Sequence, residues 1–303
     1  MVQLLYSHVI AKGTKTLAQT CKELEKSFDD SQVLYESLLQ LIVDLTNYEA
    51  LQLDEAKHKY LPTEEDLNPN TRFVDNSLAH GLSDNSEFCE IIEDGNVTWR
   101  DDELLLRLLL SKVLASEPYK EYMAMERTDH ESDCHVWYQI MKQVLLPDED
   151  IEEFVESKSV FVGSEDIEIQ GDFVLKTIHG IEQHKTNYLT PKFSDEEDAK
   201  FGEELLKLAA EELEVNNKII DSFVNTDRWD VERLALMDRL VMCTALSEMK
   251  HFESIPLRVS LNEYIELAKN YSTARSGQFV NGILNAAVKQ LRKTHEIVKP
   301  LGK

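Results

Sequence analysis

The chain has 303 residues, of which 42% are hydrophobic and 29% charged, and its formal net charge is -25. This length supports a sizeable core in one or two domains, and the charge predicts that the protein as a whole repels nucleic acid and anionic membranes. With 10 Gly and 7 Pro, the composition favours helices over a turn-rich sheet protein. No apolar run approaches the ~18 residues of a membrane span. Four scattered cysteines without a CxxC pair predict a reducing, cytoplasmic location.

The negative charge is unevenly distributed along the chain. Residues 1–200 carry a net charge of -24, whereas residues 201–303 carry -1. From Arg239 to the end there are 10 basic and 5 acidic residues, a net of +5. The last part of the chain is therefore able to face a polyanion, although the whole protein is acidic.

The first part of the chain predicts a series of helices. MVQLLYSHVIA is a short helix closed by Gly13, and apolar residues at helical spacing predict a long helix from Ser31 to about Lys59. A polar loop, LPTEEDLNPN, follows. The clearest of the shorter helices after it are Asp101–Ala115 and Ser132–Leu146. SVFVGSEDIEIQGDFV suits a strand by composition or the start of a helix over 165–181, and we favour the helix.

Pro191 marks a predicted domain boundary. After it, Ser194 and Glu197 fit a capping box for a helix that carries Phe201, Leu205 and Leu208 on one face. Further helices are predicted over Val215–Val224, over Val231–Met249 after a break near Asn225–Trp229, from Pro256 to near Tyr271, and from a Ser276 cap to Leu291. We therefore expect an all-α protein. Residues 1–190 form an N-terminal helix plus a long acidic helical insertion, and residues 191–303 form a C-terminal helical domain.

The last predicted helix, SGQFVNGILNAAVKQL, contains a glycine that needs an explanation. An interior glycine costs a helix about 1 kcal/mol relative to alanine. At about 100° per residue, the apolar side chains fill one half of the helix, with Phe279 at the edge, and Gly282 falls outside that arc. Packing is therefore not the first explanation for Gly282.

An aromatic edge beside a bare backbone patch suits a flat ligand. Stacking of a base on an exposed aromatic contributes about 1–3 kcal/mol, and single-stranded RNA is usually read in this way. Gln278 and, if the helix extends that far back, the guanidinium of Arg275 would flank the patch. The alternative is that Phe279 belongs to the core and Gly282 is a tolerated surface glycine.

Three motifs in the same region carry a family resemblance. WDVERLALMDRLVMCTALSEM, SIPLRVSLNEYIELAKNYS and SGQFVNGIL, in this order over Phe201–Leu291, resemble the NusB transcription antitermination family. MVQLLYSHV weakly resembles the end of that family's first helix. The ~185 residues between resemble the acidic insertion of larger NusB-like proteins.

The resemblance implies two packed helical subdomains and no catalytic activity. It implies binding of boxA-type single-stranded RNA from nascent ribosomal RNA transcripts, together with the tenth protein of the small ribosomal subunit (NusE), on an RNA polymerase antitermination complex. By motif, Phe279 would lie on the RNA face near Ser276 and Gln278, and Tyr6 would lie beside a basic segment. Asp238, which lies off the apolar stripe of its helix, would meet a cation of the ribosomal protein.

Three departures from the family pattern modify this expectation. The family's first helix follows an arginine-rich segment, whereas here Lys12 is the first basic residue, so either the start codon is assigned too late or the segment is lost. Loss of such a segment would weaken RNA binding and flatten its salt dependence. Cys243 and Thr244 stand where the family often has arginine, and Arg275 adds a cation where other members carry an acid.

The remaining histidines, cysteines and carboxylates do not predict a metal site or a catalytic site. His130 and His135 of HESDCH are five apart, so they do not share a helix face as a zinc pair does. The apolar neighbours of Cys243 predict a buried thiol. The many carboxylates are predicted to lie on solvent-exposed helix faces rather than to form an acid–base pair. With no glycine-rich nucleotide loop, we expect no catalytic residues, metal or cofactor. The alternative function is a helical protein-interaction adaptor whose acidic insertion binds a basic partner and which does not bind RNA.

Overall fold

The computed structural model of the protein describes residues 1–95, 97–224, 235–271 and 274–300, without the side chains of residues 274 and 275. All regular structure in these ranges is helical, and no strand occurs in them. The expected all-α fold is confirmed. The predicted break at Asn225–Trp229 and the first four residues of the predicted helix Val231–Met249 lie outside the described residues.

The helices are numbered along the chain. The first eight are α1 (Val2–Ile10), α2 (Leu17–Lys57), α3 (Glu64–Leu67), α4 (Ser77–Ser83), α5 (Ser86–Gly95), α6 (Glu103–Ala115), α7 (Glu117–Ala124) and α8 (His130–Ile140), which continues into a π-helical turn, Met141–Leu145. The remainder are α9 (Glu149–Lys158), α10 (Ser164–Glu182), α11 (Glu196–Glu211), α12 (Leu213–Phe223), α13 (Leu236–His251), α14 (Leu257–Tyr271) and α15 (Ala274–Lys293).

The chain divides into two compact units. The C-terminal unit comprises Met1–Lys26 with Phe193–Lys303, and the insertion unit comprises Ser27–Lys192. The sequence prediction grouped residues 1–190 together, whereas here α1 packs against α11 and α13 and buries Val2, Leu4 and Leu5. The insertion unit holds 36 acidic and 13 basic residues, a net of -23, so it carries almost all of the negative charge.

Most predicted helices are present, with corrected boundaries. The helix α10 confirms the helical interpretation of residues 165–181. The helix α2 begins at Leu17 rather than at Ser31, because LAQTCKELEKSFDD is rich in good helix formers and buries Cys21 and Leu24 on one side. The predicted polar loop contains α3, which starts with a capping box formed by Thr63 and Asp66.

Two predicted helix caps are wrong. Asp195, not Ser194, caps α11, since its carboxylate accepts hydrogen bonds from the backbone N–H groups of Glu197 and Asp198, both at 2.9 Å. The helix α15 begins at Ala274, so Ser276 lies within its first turn rather than at its N-cap.

The insertion unit is built around α2. Asp44, 1% exposed, accepts a hydrogen bond from the backbone N–H of Trp99 at 3.0 Å and an ion-pair hydrogen bond from Arg100 Nε at 2.8 Å. The indole Nε1–H of Trp99 donates to the carbonyl of Ser37 at 2.8 Å, and its ring stacks on Phe154 with centroids 4.6 Å apart. These contacts attach the segment before α6 firmly to α2.

A buried amide joins α12 to α13 in the C-terminal unit. Asn216, 0% exposed, donates to the carbonyl of Cys243 at 3.1 Å and accepts from Lys250 Nζ at 2.7 Å. Cys243 is itself fully buried, and burial raises the pKa of its thiol to about 12. The thiol is therefore protonated and unreactive at neutral pH, as its apolar sequence neighbours predicted.

Candidate nucleic-acid interface

The helix α15 packs against α12, α13 and α14 through the predicted apolar arc. The fully packed members of the arc are Val280, Ile283, Leu284, Ala287, Val288 and Leu291. Phe279 is half-buried at the edge of the arc. Phe279 thus lies between the core and the solvent face of α15, and its contact with RNA stays a prediction.

The opposite side of α15 is polar and faces solvent. Gln278, Asn281 and Gly282 are exposed, and Asn285 donates a hydrogen bond from its amide to the carbonyl of Asn281 at 2.9 Å. A Cβ built on Gly282 would have no atom within 4 Å. Packing therefore gives no reason for the glycine, and the bare backbone next to Phe279 is open to a ligand.

A second glycine in α15 has a packing role that the sequence prediction missed. A Cβ on Gly277 would lie 2.7 Å from Cγ and 3.2 Å from Cε of Lys269 on α14. The side chain of Lys269 therefore crosses directly over Gly277. The two glycines are five residues apart, which is about 140° around a helix, so Gly277 falls within the apolar arc and Gly282 outside it. This position on the arc was the signal from which the sequence could have predicted the contact.

Positive charge is concentrated on α15. The helix contains four basic residues and no acidic one. Lys289 and Lys293 are exposed and Arg292 is half-buried, and within the described part of the chain none of the three forms an ion pair with an acidic side chain. Cations in the last turns of a helix are favoured by its dipole. At about 100° per residue, Lys289 and Arg292 lie on the side of the helix opposite the apolar arc, and neither was among the predicted site residues.

The other predicted RNA-binding residues lie on two helices. Ser276 is half-buried on α15, and the side chain of Arg275 lies outside the described residues. Tyr6 is half-buried on α1, which packs on α13, and α15 packs on α13 too. The two helices therefore share one neighbour.

The structure corrects the expected exposure of Asp238. Its side chain, predicted to face solvent, is buried with 5% of its surface exposed, and it lies in the first turn of α13. A carboxylate in that position is stabilised by the positive end of the helix dipole. The next residue, Arg239, donates to Asp221 at 2.8 Å. Contact of Asp238 with a partner protein remains a prediction and requires the side chain to become uncovered.

The HESDCH segment forms the start of α8. His130 exchanges a hydrogen bond with Ser77 Oγ at 2.9 Å and stacks on His184 with centroids 4.6 Å apart, while His135 is exposed. Within the described ranges, no three His, Cys, Asp or Glu side chains are grouped as metal ligands. Nor does any helix in those ranges have the length and apolar character needed to cross a membrane.

The described structure thus defines an all-helical protein whose last long helix presents amides, a bare glycine and cations to solvent. Comparison with known sequences is consistent with this class. The sequence model of the NusB family matches residues 165–289. The Transcription antitermination protein NusB of Salinibacter ruber is 38% identical over 101 residues, or 33% of this chain and 62% of that protein. The protein of the same name from Methylacidiphilum infernorum is 40% identical over 95 residues, or 31% and 65%.

The alignment with a third relative covers a larger share of that relative's own length. The Transcription antitermination protein NusB of Natranaerobius thermophilus is 34% identical over 119 residues, which are 33% of this chain and 86% of that protein. The chain belongs to the NusB family. It spans less than two-thirds of the length of the first two relatives. No solved structure matches the chain.

Proposed function

We propose that this protein is a non-enzymatic transcription antitermination factor that binds boxA-type single-stranded RNA of nascent ribosomal RNA transcripts. It does so together with the tenth protein of the small ribosomal subunit, within an RNA polymerase antitermination complex. The observation that carries the proposal is the solvent face of α15, where Gly282 leaves open space beside the half-buried ring of Phe279. The name that the three relatives share supports the transcription antitermination part of the proposal.

Each group on this face has a distinct role in the proposal. Phe279 stacks against a base, and the bare backbone at Gly282 lets the nucleotide approach closely. The amides of Gln278, Asn281 and Asn285 hydrogen-bond to base edges, which single-stranded RNA exposes.

The charged residues on the same helix bind the RNA backbone. Lys289 and Lys293 contact phosphates, and Arg275 and Ser276 extend the contact at the start of the helix. Tyr6 on α1 provides a second aromatic, and Asp238 contacts the ribosomal protein once it is uncovered.

A salt-series titration tests the proposal. The anisotropy of a labelled boxA-like RNA is measured with the full chain, alone and with the tenth small-subunit protein. Each lost phosphate contact reduces the slope of log affinity against log salt by about 0.7 for a single strand. We expect Lys289→Gln and Lys293→Gln each to reduce the slope by about this amount, whereas Lys185→Gln, an exposed lysine of the insertion unit, leaves it unchanged.

A second candidate function is the protein-interaction adaptor that does not bind RNA. The net charge of -23 on the insertion unit favours it, because such a unit attracts basic proteins and repels RNA. The adaptor function would be supported if the chain forms a complex with the ribosomal protein but neither the chain nor that complex binds RNA.

A further inference from the structure

The insertion unit contains a surface pocket that the RNA-binding proposal does not use. Its volume is about 420 Å³. It lies among α2, the end of α5, the segment before α6, and α9 with the turn that follows it. Its apolar lining includes Trp99, Phe154 and Val33, and Val33 is 41% exposed. Exposed apolar side chains around a concave surface are typical of a binding site.

The walls of this pocket are held in place by ring stacking and by partly buried hydrogen bonds. Trp99 is 2% exposed and is fixed by its stacking on Phe154 and by its hydrogen bond to the carbonyl of Ser37. On the other wall, Ser159 donates to Asp30 of α2 at 2.5 Å and accepts from the backbone N–H of Phe161 at 3.0 Å. A preformed pocket costs less free energy to occupy than one that must be ordered on binding.

The rim of the pocket is acidic. Asp30, Asp101 and Asp102 line it, and the last two are exposed. One cation, Lys158, also lines the pocket, and its ammonium lies over the ring of Phe154, 4.6 Å from the centroid. The two exposed carboxylates, Asp101 and Asp102, against one ammonium leave this part of the rim negative, within a unit whose own net charge is -23.

We propose that this pocket binds a basic segment of a partner protein, which inserts an aromatic or large aliphatic side chain against Trp99 and Phe154. Lysine or arginine residues on either side of that anchor contact Asp101 and Asp102. The apolar floor provides the anchoring contact and the acidic rim selects a basic sequence, since charge complementarity at a rim favours encounter with the correct partner. This function is independent of RNA binding by α15.

Labelled synthetic peptides and the full chain test the proposal by fluorescence anisotropy at physiological salt. The probe GKRKFLRKG has both the anchor and the charges. GKRKSSRKG lacks the anchor, and GEDEFLDEG has the anchor with reversed charge. We expect GKRKFLRKG to bind, GKRKSSRKG to bind about tenfold more weakly, and GEDEFLDEG not to bind.

Two variants of the chain locate the site. Asp101→Lys reverses a rim charge and should weaken GKRKFLRKG about tenfold, whereas Glu121→Lys, an equal reversal at an exposed position of α7, should change it less than about twofold. Val33→Trp fills the pocket from α2. In this variant GKRKFLRKG should bind no more tightly than GKRKSSRKG. Circular dichroism verifies that each variant keeps its helix content.

The results that overturn the proposal are distinct. Equal binding of the two basic peptides, or equal loss in Asp101→Lys and Glu121→Lys, would mean general attraction to an acidic surface. If folded Val33→Trp still binds GKRKFLRKG more tightly than GKRKSSRKG, the apolar contact lies outside this pocket. Absence of binding by all three peptides would also reject the pocket as a site for basic segments.

Discussion

The ammonium of Lys299 donates a hydrogen bond to the carboxylate of Glu248 at 2.6 Å, in a site where the lysine side chain is 0% and the glutamate side chain 6% exposed. Ser260 Oγ donates to the same carboxylate oxygen at 2.5 Å. The backbone N–H of Leu257 donates to the carbonyl of Pro300 at 3.0 Å. The segment after α15 is therefore attached to α13 and α14 by a buried ion pair and a backbone hydrogen bond.

Removal of the lysine should strongly destabilise the C-terminal unit. Lys299→Met leaves Glu248 buried without its cation, and breaking a buried pair in this way costs about 3–5 kcal/mol. Urea unfolding followed by circular dichroism measures the loss. Lys293→Met removes an exposed lysine and should change stability by less than about 0.5 kcal/mol, so similar losses in both variants would contradict the importance of the pair.

The two glycines of α15 should differ in how their replacement by alanine changes stability. Gly282→Ala places a methyl group in open space within a helix and should stabilise the protein by about 0.5–1 kcal/mol. Gly277→Ala places it 2.7 Å from Lys269 Cγ, so the gain in helix propensity is offset by displacement of that side chain. Thermal or urea unfolding compares the two variants. If Gly282→Ala raises the free energy of unfolding less than Gly277→Ala does, the contact between Gly277 and Lys269 does not control the effect of the substitution on stability.

Glu49 should make stability depend on pH. It is 7% exposed on α2, and burial raises the pKa of its carboxyl to about 7 from 4.5. Between these values the unfolded chain releases the proton while the folded chain retains it, so stability from this group decreases as pH rises from 4.5 to 7. The decrease amounts to at most about 3 kcal/mol at 1.36 kcal/mol per pKa unit.

Replacement of Glu49 by its neutral analogue tests this dependence. Glu49→Gln should remove that part of the pH dependence and be more stable than the parent at pH 8. Glu55→Gln, at an exposed position of the same helix, should retain the parent's pH profile. Unfolding free energies measured across pH 4–8 check both. Identical profiles for Glu49→Gln and the parent would show that the carboxyl does not titrate in this range.

Phe279 should contribute to RNA binding through its ring. Phe279→Leu retains apolar volume at the edge of the core but removes the stacking surface, so we expect affinity for the boxA-like RNA to fall by about 1–3 kcal/mol with helix content unchanged. Anisotropy titration measures the affinity. As a control for the fold, Phe252→Leu alters an aromatic pair with Phe201, 4.9 Å between centroids, and should leave RNA affinity unaltered. Unchanged affinity in folded Phe279→Leu would exclude stacking by this residue.

Local patterns in the sequence are sufficient to locate most of the helices and to recognise the family. In α15 the apolar spacing identified each buried residue from Val280 to Leu291, because a helix repeats every ~3.6 residues and this repeat is a local property. In the same way, the motifs over Phe201–Leu291 identified the NusB family before any contact was known, because they are contiguous in the chain. The prediction of α10 as a helix rested on the same kind of local signal.

The contacts of individual surface positions, in contrast, depend on how distant helices pack together. Asp238 lies off the apolar stripe and is nevertheless buried, and Lys299 is fully enclosed although its sequence neighbours are those of an exposed tail. The helical spacing places Gly277 on the apolar arc, but only the structure shows that the side chain lying over it is Lys269 of α14. These differences arise because helices that are distant in sequence pack against one another. The local periodicity of a single helix does not predict such contacts. The acidic pocket of the insertion unit has the same origin, since α2, α5, α9 and the segment before α6 form it together.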